Sequence, residues 1–276
     1  MKIITLSDSA RFSYVRWQAD SVYRKMRDEE YIIYDIGLMP DQIDELLSVP
    51  GVTIKKFDDM PTSGEYYNRF DKFSDALLRR DGGKAMITRS AAKKAWIIQN
   101  ELQETNNKIV YMDADAFFNQ SMLQDDIFKI DFNVCVTLRK RQLMPINVLE
   151  DPHRWHFKLL NAGVQFFQGD SKPLLSYFDG FKDFLCEMPE LSDQGNLNRY
   201  LTKHAGINFT EWLKYYTMKI NEDILKLYVI PCLYYNRLIN VGSKLDGVTI
   251  IAHMKGPSKQ MFPVTNWKQL QNNFKA

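Results

Sequence analysis

The sequence predicts an α/β fold, a doubly wound, Rossmann-like sheet flanked by helices. Short apolar runs alternate with stretches of helical spacing through the first half of the chain, which is the rhythm of βαβ units. Those runs are continuously apolar, as strands buried on both faces of a parallel sheet must be. The central run, Ile109-Val-Tyr-Met112, also ends in Asp113-Ala-Asp115, and in open α/β sheets ligands gather beyond the carboxyl ends of the strands.

The elements follow in order. Residues 3–6 form a first strand, and Ser7-Asp8-Ser9 supplies turn and capping chemistry for a helix over 12–26. Residues 31–35 form a second strand, 40–47 a helix with Pro40 in its first turn, and 52–55 a third strand. From 58 to 83, Pro, Gly, Asp and aromatic residues break the pattern into an irregular or partly helical excursion. Helical spacing resumes over 90–102 and leads into the strand 109–112. The second half is less regular, with strands expected at 132–138 and 163–167 around a basic, aromatic segment, 139–158. Helices follow at 172–187 and 193–201, then strands at 227–230 and 248–251.

A chain of 276 residues, 45% hydrophobic, can bury a large core and need not be disordered. Its formal net charge of +2 provides no strong field for nucleic acid. Cys135, Cys186 and Cys232 are far apart and odd in number, and Cys135 is embedded in an apolar run, so a reducing compartment is the simpler inference. The N-terminus lacks the apolar region of a signal peptide, and no run approaches the ~18 apolar residues of a membrane span. The expected location is the cytoplasm, with at most peripheral contact at the inner face of the membrane.

Asp113 and Asp115 are the first candidates for chemistry. Residues i and i+2 of an extended chain point the same way, so both carboxylates can reach one hard divalent cation that also binds phosphate oxygens. The bland alternative is a solvated Asp-x-Asp in a strand-to-helix turn. Three further motifs bear on the choice. His253-Met-Lys-Gly256-Pro-Ser-Lys259 follows the last expected strand: the imidazole can ligate a metal, Gly256 admits phosphate close to the backbone, and Lys259 can neutralise a departing diphosphate. Asn161-Ala-Gly163-Val precedes a strand and offers an amide for sugar hydroxyls, with space beside Gly163 for a sugar ring. Ser192-Asp193-Gln194-Gly-Asn-Leu-Asn198 combines a helix start with two polar groups able to face a sugar. Each motif taken singly also reads as a surface turn or an N-cap.

Together, in this order and each beside an element end, they resemble the GT-A nucleotide-sugar glycosyltransferases. The likeness is strongest to the family 8 group that includes glycogenin and bacterial lipooligosaccharide galactosyltransferases, and it covers most of the chain. The resemblance implies a mixed GT-A sheet in a single domain, 1–276, with a nucleotide-binding half at 1–118 and a donor-sugar and acceptor half at 119–276. It implies Mn²⁺ or Mg²⁺ held by Asp113, Asp115 and His253, and a UDP-sugar donor whose diphosphate meets Gly256 and Lys259. Asn161, Gly163, Asp193 and Gln194 would contact the donor sugar, and Asp8 would read the uracil ring. Two departures stand out. Gln260-Met261 replaces the usual Pro-Trp, so the acceptor end differs. Lys93-Lys94-Ala-Trp96 replaces a Tyr-x-Arg pattern, making Lys94 a candidate for phosphate or sugar, with a solvated helix residue as the other reading.

The implied reaction is metal-dependent transfer of a sugar to a glycan or glycolipid hydroxyl, with retention of configuration and with Gln194 or Asp193 polarising the reacting centre. The segment holding Arg139, Arg141 and Trp155 is a candidate acceptor loop, through stacking on sugars and attraction of acidic groups. An NDP-sugar-forming nucleotidyltransferase is the rival enzyme, but Ser7-Asp-Ser-Ala-Arg11 lacks the glycines of a phosphate loop. A non-catalytic nucleotide-sugar-binding module is the rival outside catalysis.

Overall fold

A computed structural model describes residues 1–57, 84–104, 108–123, 125–139, 160–169, 171–187, 193–206, 213–239 and 247–254. The first half runs β1 (Lys2–Ser7), α1 (Phe12–Lys25), β2 (Glu30–Asp35), α2 (Pro40–Leu47), β3 (Val52–Lys56), α3 (Lys84–Glu104) and β4 (Ile109–Met112). The second half adds β5 (Ala116–Phe118), β6 (Val134–Leu138), β7 (Leu160–Phe167), α4 (Ser171–Glu187) and α5 (Asp193–Ala205). After these come β8 (Lys214–Ile220), β9 (Asp223–Pro231), the single turn α6 (Cys232–Tyr235), β10 (Arg237–Ile239) and β11 (Ile251–Met254).

Eight strands form one sheet in the order β3-β2-β1-β4-β7-β6-β9-β8. The first four are parallel, so β1 and β4 present their carboxyl ends along one edge. The sheet is mixed, because β7 runs antiparallel to both β4 and β6, and β8 antiparallel to β9. The period of two sends alternate side chains to opposite faces. Ile4, Ile32, Tyr111 and Phe167 join the core under α3, α4 and α5, while Ile3, Ile33, Val110 and Phe166 join that under α1 and α2. A second sheet, β10-β11-β5, packs Phe117, Ala252 and Met254 against Trp17 of α1. Cys135 is fully buried, as expected of a core residue, and burial pushes its thiol well above the usual range. No helix among the described residues is long and apolar enough to cross a membrane.

Several expectations shift. The last strand is β11 at Ile251–Met254 and not 248–251, because its register is set by antiparallel pairing with β5, a partner three residues long. His253 therefore lies within a strand. Asn161, Ala162 and Gly163 likewise lie inside β7 and not ahead of it, so none of them is part of a turn. Strands β5, β8 and β10 are additions to the expected set, two of them being too short for a periodic signal and β8 an edge strand with mostly exposed residues. Much of the candidate acceptor segment, including Arg141 and Trp155, lies outside the described residues, as does the excursion at 58–83.

One buried ion cluster ties α3 to the sheet. Glu101 on α3 has no exposed side-chain surface, and its Oε2 accepts from Lys2 Nζ of β1 at 2.8 Å. Its Oε1 accepts from Lys55 Nζ of β3 and from Tyr34 Oη of β2, each at 2.6 Å. Burial alone would raise the Glu101 carboxyl; these three donors outweigh it and hold the group below its ordinary value. A carboxylate with a depressed folded-state pKa stabilises the fold above its unfolded pKa, and that contribution is lost as pH falls through the folded value. Glu101→Gln should cost about 2 kcal/mol at neutral pH, between the ranges for exposed and buried pairs. Urea denaturation should show the gap from wild type closing as the pH drops below the ordinary carboxylate range.

Candidate metal centre

Three separate segments converge beyond the end of β4. The chain turns immediately after Met112, with Ala116 N donating to Asp113 O at 2.9 Å, and enters β5. Asp113 and Asp115 thus converge through a turn and not along an extended chain, which corrects the geometric premise drawn from sequence while keeping both carboxylates together. Antiparallel pairing of β5 with β11 sets His253 opposite Ala116, and Met254 N donates to Asp115 O at 3.0 Å. The third segment is β7, where Gly163 O accepts from Asp113 N at 2.7 Å.

The result is a compact set of metal-ligand types. One ligand atom from each of Asp113, Asp115 and His253 lies within 4.8 Å of the others. His253 Nε2 is 2.9 Å from Asp115 Oδ1 and 3.8 Å from Asp113 Oδ2, and the ring is 1% exposed. Two carboxylates and an imidazole are a donor set suited to Mn²⁺ and acceptable to Mg²⁺. Space is reserved on one side by Gly163: a Cβ there would sit 2.6 Å from His253 Nδ1 and 3.0 Å from Asp113 Oδ2. The glycine is needed for the imidazole itself to fit, a reason different from the sugar clearance that its sequence suggests.

Surrounding groups fix how these side chains point. Asn236 Nδ2 donates to Thr137 Oγ1 at 2.8 Å and reaches Asn161 O at 3.4 Å, which turns its Oδ1 toward His253 Nδ1, 2.8 Å away. Nδ1 therefore carries the proton, and Nε2 is the atom that faces the carboxylates. Gln18 of α1 braces the aspartate turn from behind, its Nε2 donating to Asp113 O at 2.9 Å and Ala116 O at 2.7 Å, while Tyr31 Oη donates to its Oε1. Sequence reasoning misses both Gln18 and Asn236, since each is a lone amide with no motif around it.

Lys94 departs most clearly from its bland reading. Its Nζ lies 2.6 Å from Asp113 Oδ1 and 5.3 Å from the Tyr111 ring centroid, so it belongs to the centre and is not a solvated helix residue. Tyr111 Oη also donates to Asp113 Oδ1 at 3.1 Å. Asn161 is fully buried beside them: its Oδ1 accepts from Gly163 N, and its Nδ2 has no hydrogen-bond partner among the described residues. Lys94, Asp113, Asp115, Asn161, Gly163 and His253 thus form one cluster.

The remaining candidates lie along the same edge or outside the described part. Asp8 follows β1, where its carboxylate accepts from Arg11 N at 3.1 Å and pairs with Arg11 Nη1 at 2.6 Å. Gln194 is half-buried in the first turn of α5. That turn is clamped to β7 by Asn198, which accepts from Leu160 N at 3.0 Å and donates to Gln194 O at 2.7 Å. The Asp193 side chain, Gly256 and Lys259 are outside the described residues.

No protein-family profile and no curated protein sequence matches the chain. Solved structures do. The galactosyltransferase LgtC, in complex with donor and acceptor sugar analogs, is 12% identical with a TM-score of 0.59, covering 100% of this chain and 95% of its own. The bifunctional glycosyltransferase WbbM is 11% identical with a TM-score of 0.55, over 93% of this chain and 46% of its own. Mouse xyloside xylosyltransferase 1 is 11% identical with a TM-score of 0.52, over 95% of this chain and 99% of its own. The class is thereby defined at the level of architecture: the chain has the GT-A fold of these glycosyltransferases.

The geometry makes two substitutions informative. Gly163→Ala should displace the His253 ring and weaken Mn²⁺ binding, read by titration calorimetry, with an overpacking cost of about 1–3 kcal/mol in stability. Asn236→Leu should lower Mn²⁺ affinity by about 10–100-fold through loss of ring orientation. Unchanged affinity in both variants would assign Gly163 and Asn236 to packing alone.

Proposed function

We propose that this protein is a divalent-cation-dependent glycosyltransferase that moves a sugar from a nucleotide diphosphate, a UDP-sugar, to a hydroxyl of a glycan or glycolipid. The Asp113, Asp115 and His253 cluster, seated beyond a strand end in a glycosyltransferase fold, carries the reading. The residues fit a cation: their ligand atoms converge, His253 offers Nε2, and Gly163 leaves room for the imidazole to take that position.

Asp113, Asp115 and His253 would hold Mn²⁺ or Mg²⁺, which when bound neutralises charge on a departing diphosphate. Lys94 brings a second positive charge to Asp113, which supports a role in meeting a phosphate oxygen. Lys259 and Gly256 have a similar role by resemblance. Asn161 supports sugar binding from β7, since its buried Nδ2 keeps a hydrogen available for a hydroxyl while its oxygen is pinned by Gly163 N. Gln194 and Asp193, at the start of α5, are the groups proposed to polarise the reacting centre, and Asp8 the one proposed to read the base. Retention follows from the family resemblance, and a location in the cytoplasm or at the inner face of the membrane is part of the same proposal. The nucleotidyltransferase alternative is disfavoured because the segment after β1 is a short helical turn capped by Asp8, with no glycine to cradle a triphosphate.

Release of UDP from a panel of UDP-sugars, with Mn²⁺ and then with a chelator, tests the proposal. Asp113→Asn and Asp115→Asn should each reduce cation-dependent release by about 100-fold or more while the fold persists. Release that ignores the chelator and both substitutions would remove the proposal.

A further inference from the structure

Arg139, the residue after β6, is built like the receptor for an anion. Its guanidinium is half-buried, and its Nε is enclosed with no hydrogen-bond partner among the described residues. The hydrogen bond from its Nη2 to Gln194 Oε1 is long, at 3.5 Å, and among the described residues no carboxylate pairs with it. Burial lowers its proton affinity, opposed only by the nearby Cys232. A partly desolvated guanidinium with an unmatched Nε is stabilised when a negative group arrives, and its planar fork matches a carboxylate in bidentate fashion.

Its place on the sheet narrows the anion. β6 is parallel to β4 and separated from it by β7 alone, so Arg139 stands on the same ligand edge as the metal centre. Two strand spacings, about 10 Å, separate β4 from β6 laterally. Between them lie Asn161 and Gly163, and beside Arg139 lies Gln194. A diphosphate at the metal centre would already be neutralised there by the cation and Lys94. A sugar attached to that diphosphate would extend across β7 toward β6, bringing the substituent at its far end to Arg139.

We propose that the donor sugar is a hexuronate and that Arg139 receives its carboxylate, with Gln194 turning from the guanidinium to the sugar. The proposal rests on the nucleotide-sugar reading above and names the substrate class of that site. It also moves Arg139 from the acceptor side, where its basic segment placed it, to the donor pocket. Neutral hexoses offer only a hydroxyl there and leave the guanidinium unmatched.

Calorimetry with the full chain and Mn²⁺ decides it, using UDP, UDP-glucuronate, UDP-galacturonate, UDP-glucose and UDP-galactose. Wild type should bind at least one uronate donor about 10–100-fold more tightly than its neutral counterpart, the scale of a charge-assisted hydrogen bond. Arg139→Met should erase that preference and leave UDP affinity unchanged, and Arg139→Lys should restore part of it. Equal or tighter binding of neutral donors by wild type would overturn the proposal, as would an Arg139→Met loss shared by UDP and every donor. Preference for a uronate only as the acceptor, with a neutral donor, would overturn it too. Failure to bind UDP at all would remove the nucleotide-sugar reading, whereas intact UDP binding with no uronate preference would remove this inference alone.

Discussion

The absence of a side chain at Gly163 is what lets β7 pass close enough to the aspartate turn for its carbonyl to accept from Asp113 N while the His253 ring fills the space beside it. Any Cβ would occupy the imidazole's position. From that contact the rest follows. β11 must bring His253 in from the second sheet, β5 must pair with β11 to hold it, and Asn236 must stand behind the ring to orient it. A backbone approach of this kind is one of the few functions that only glycine can perform inside a strand.

Two carboxylates and an imidazole gathered in a partly buried corner create an electrostatic problem that the fold solves in advance. Lys94 and Tyr111 face Asp113, while Gln18 holds the backbone of the turn. Lys94 can do this because α3 is fastened to the sheet seven residues further along by Glu101. Positions seven apart fall on the same face of a helix, so the buried ion cluster and the site lysine share one stripe. A structural carboxylate thereby sets where the Lys94 ammonium lies relative to Asp113.

The sequence is most informative where periodicity and composition coincide. The first four parallel strands and the helices between them are legible because a continuous apolar run of four to six residues between turn residues is too short for a helix and too apolar for a loop. Asp113, Asp115 and His253 are legible as types suited to one cation. The supports are not. Asn236 and Gln18 are each held by partners 75 to 99 positions away as well as by nearer ones, which no local pattern encodes. Asn161 and Gly163 stand out by residue type, but their place inside β7 is hidden because an Asn and a Gly together imitate a turn. Lys94 is ambiguous because a lysine on a helix is ordinarily solvated, and only the convergence of α3 with β4 gives it a partner.

The Asp113, Asp115 and His253 atoms are proposed to form a cation site beside a nucleotide diphosphate. Diffraction at the manganese absorption edge, from crystals grown with Mn²⁺ and UDP, tests it most directly. The expected result is an anomalous peak in contact with both carboxylates and His253 Nε2, with the UDP diphosphate beside it. Manganese bound elsewhere, or UDP held without contact to these side chains, would contradict it.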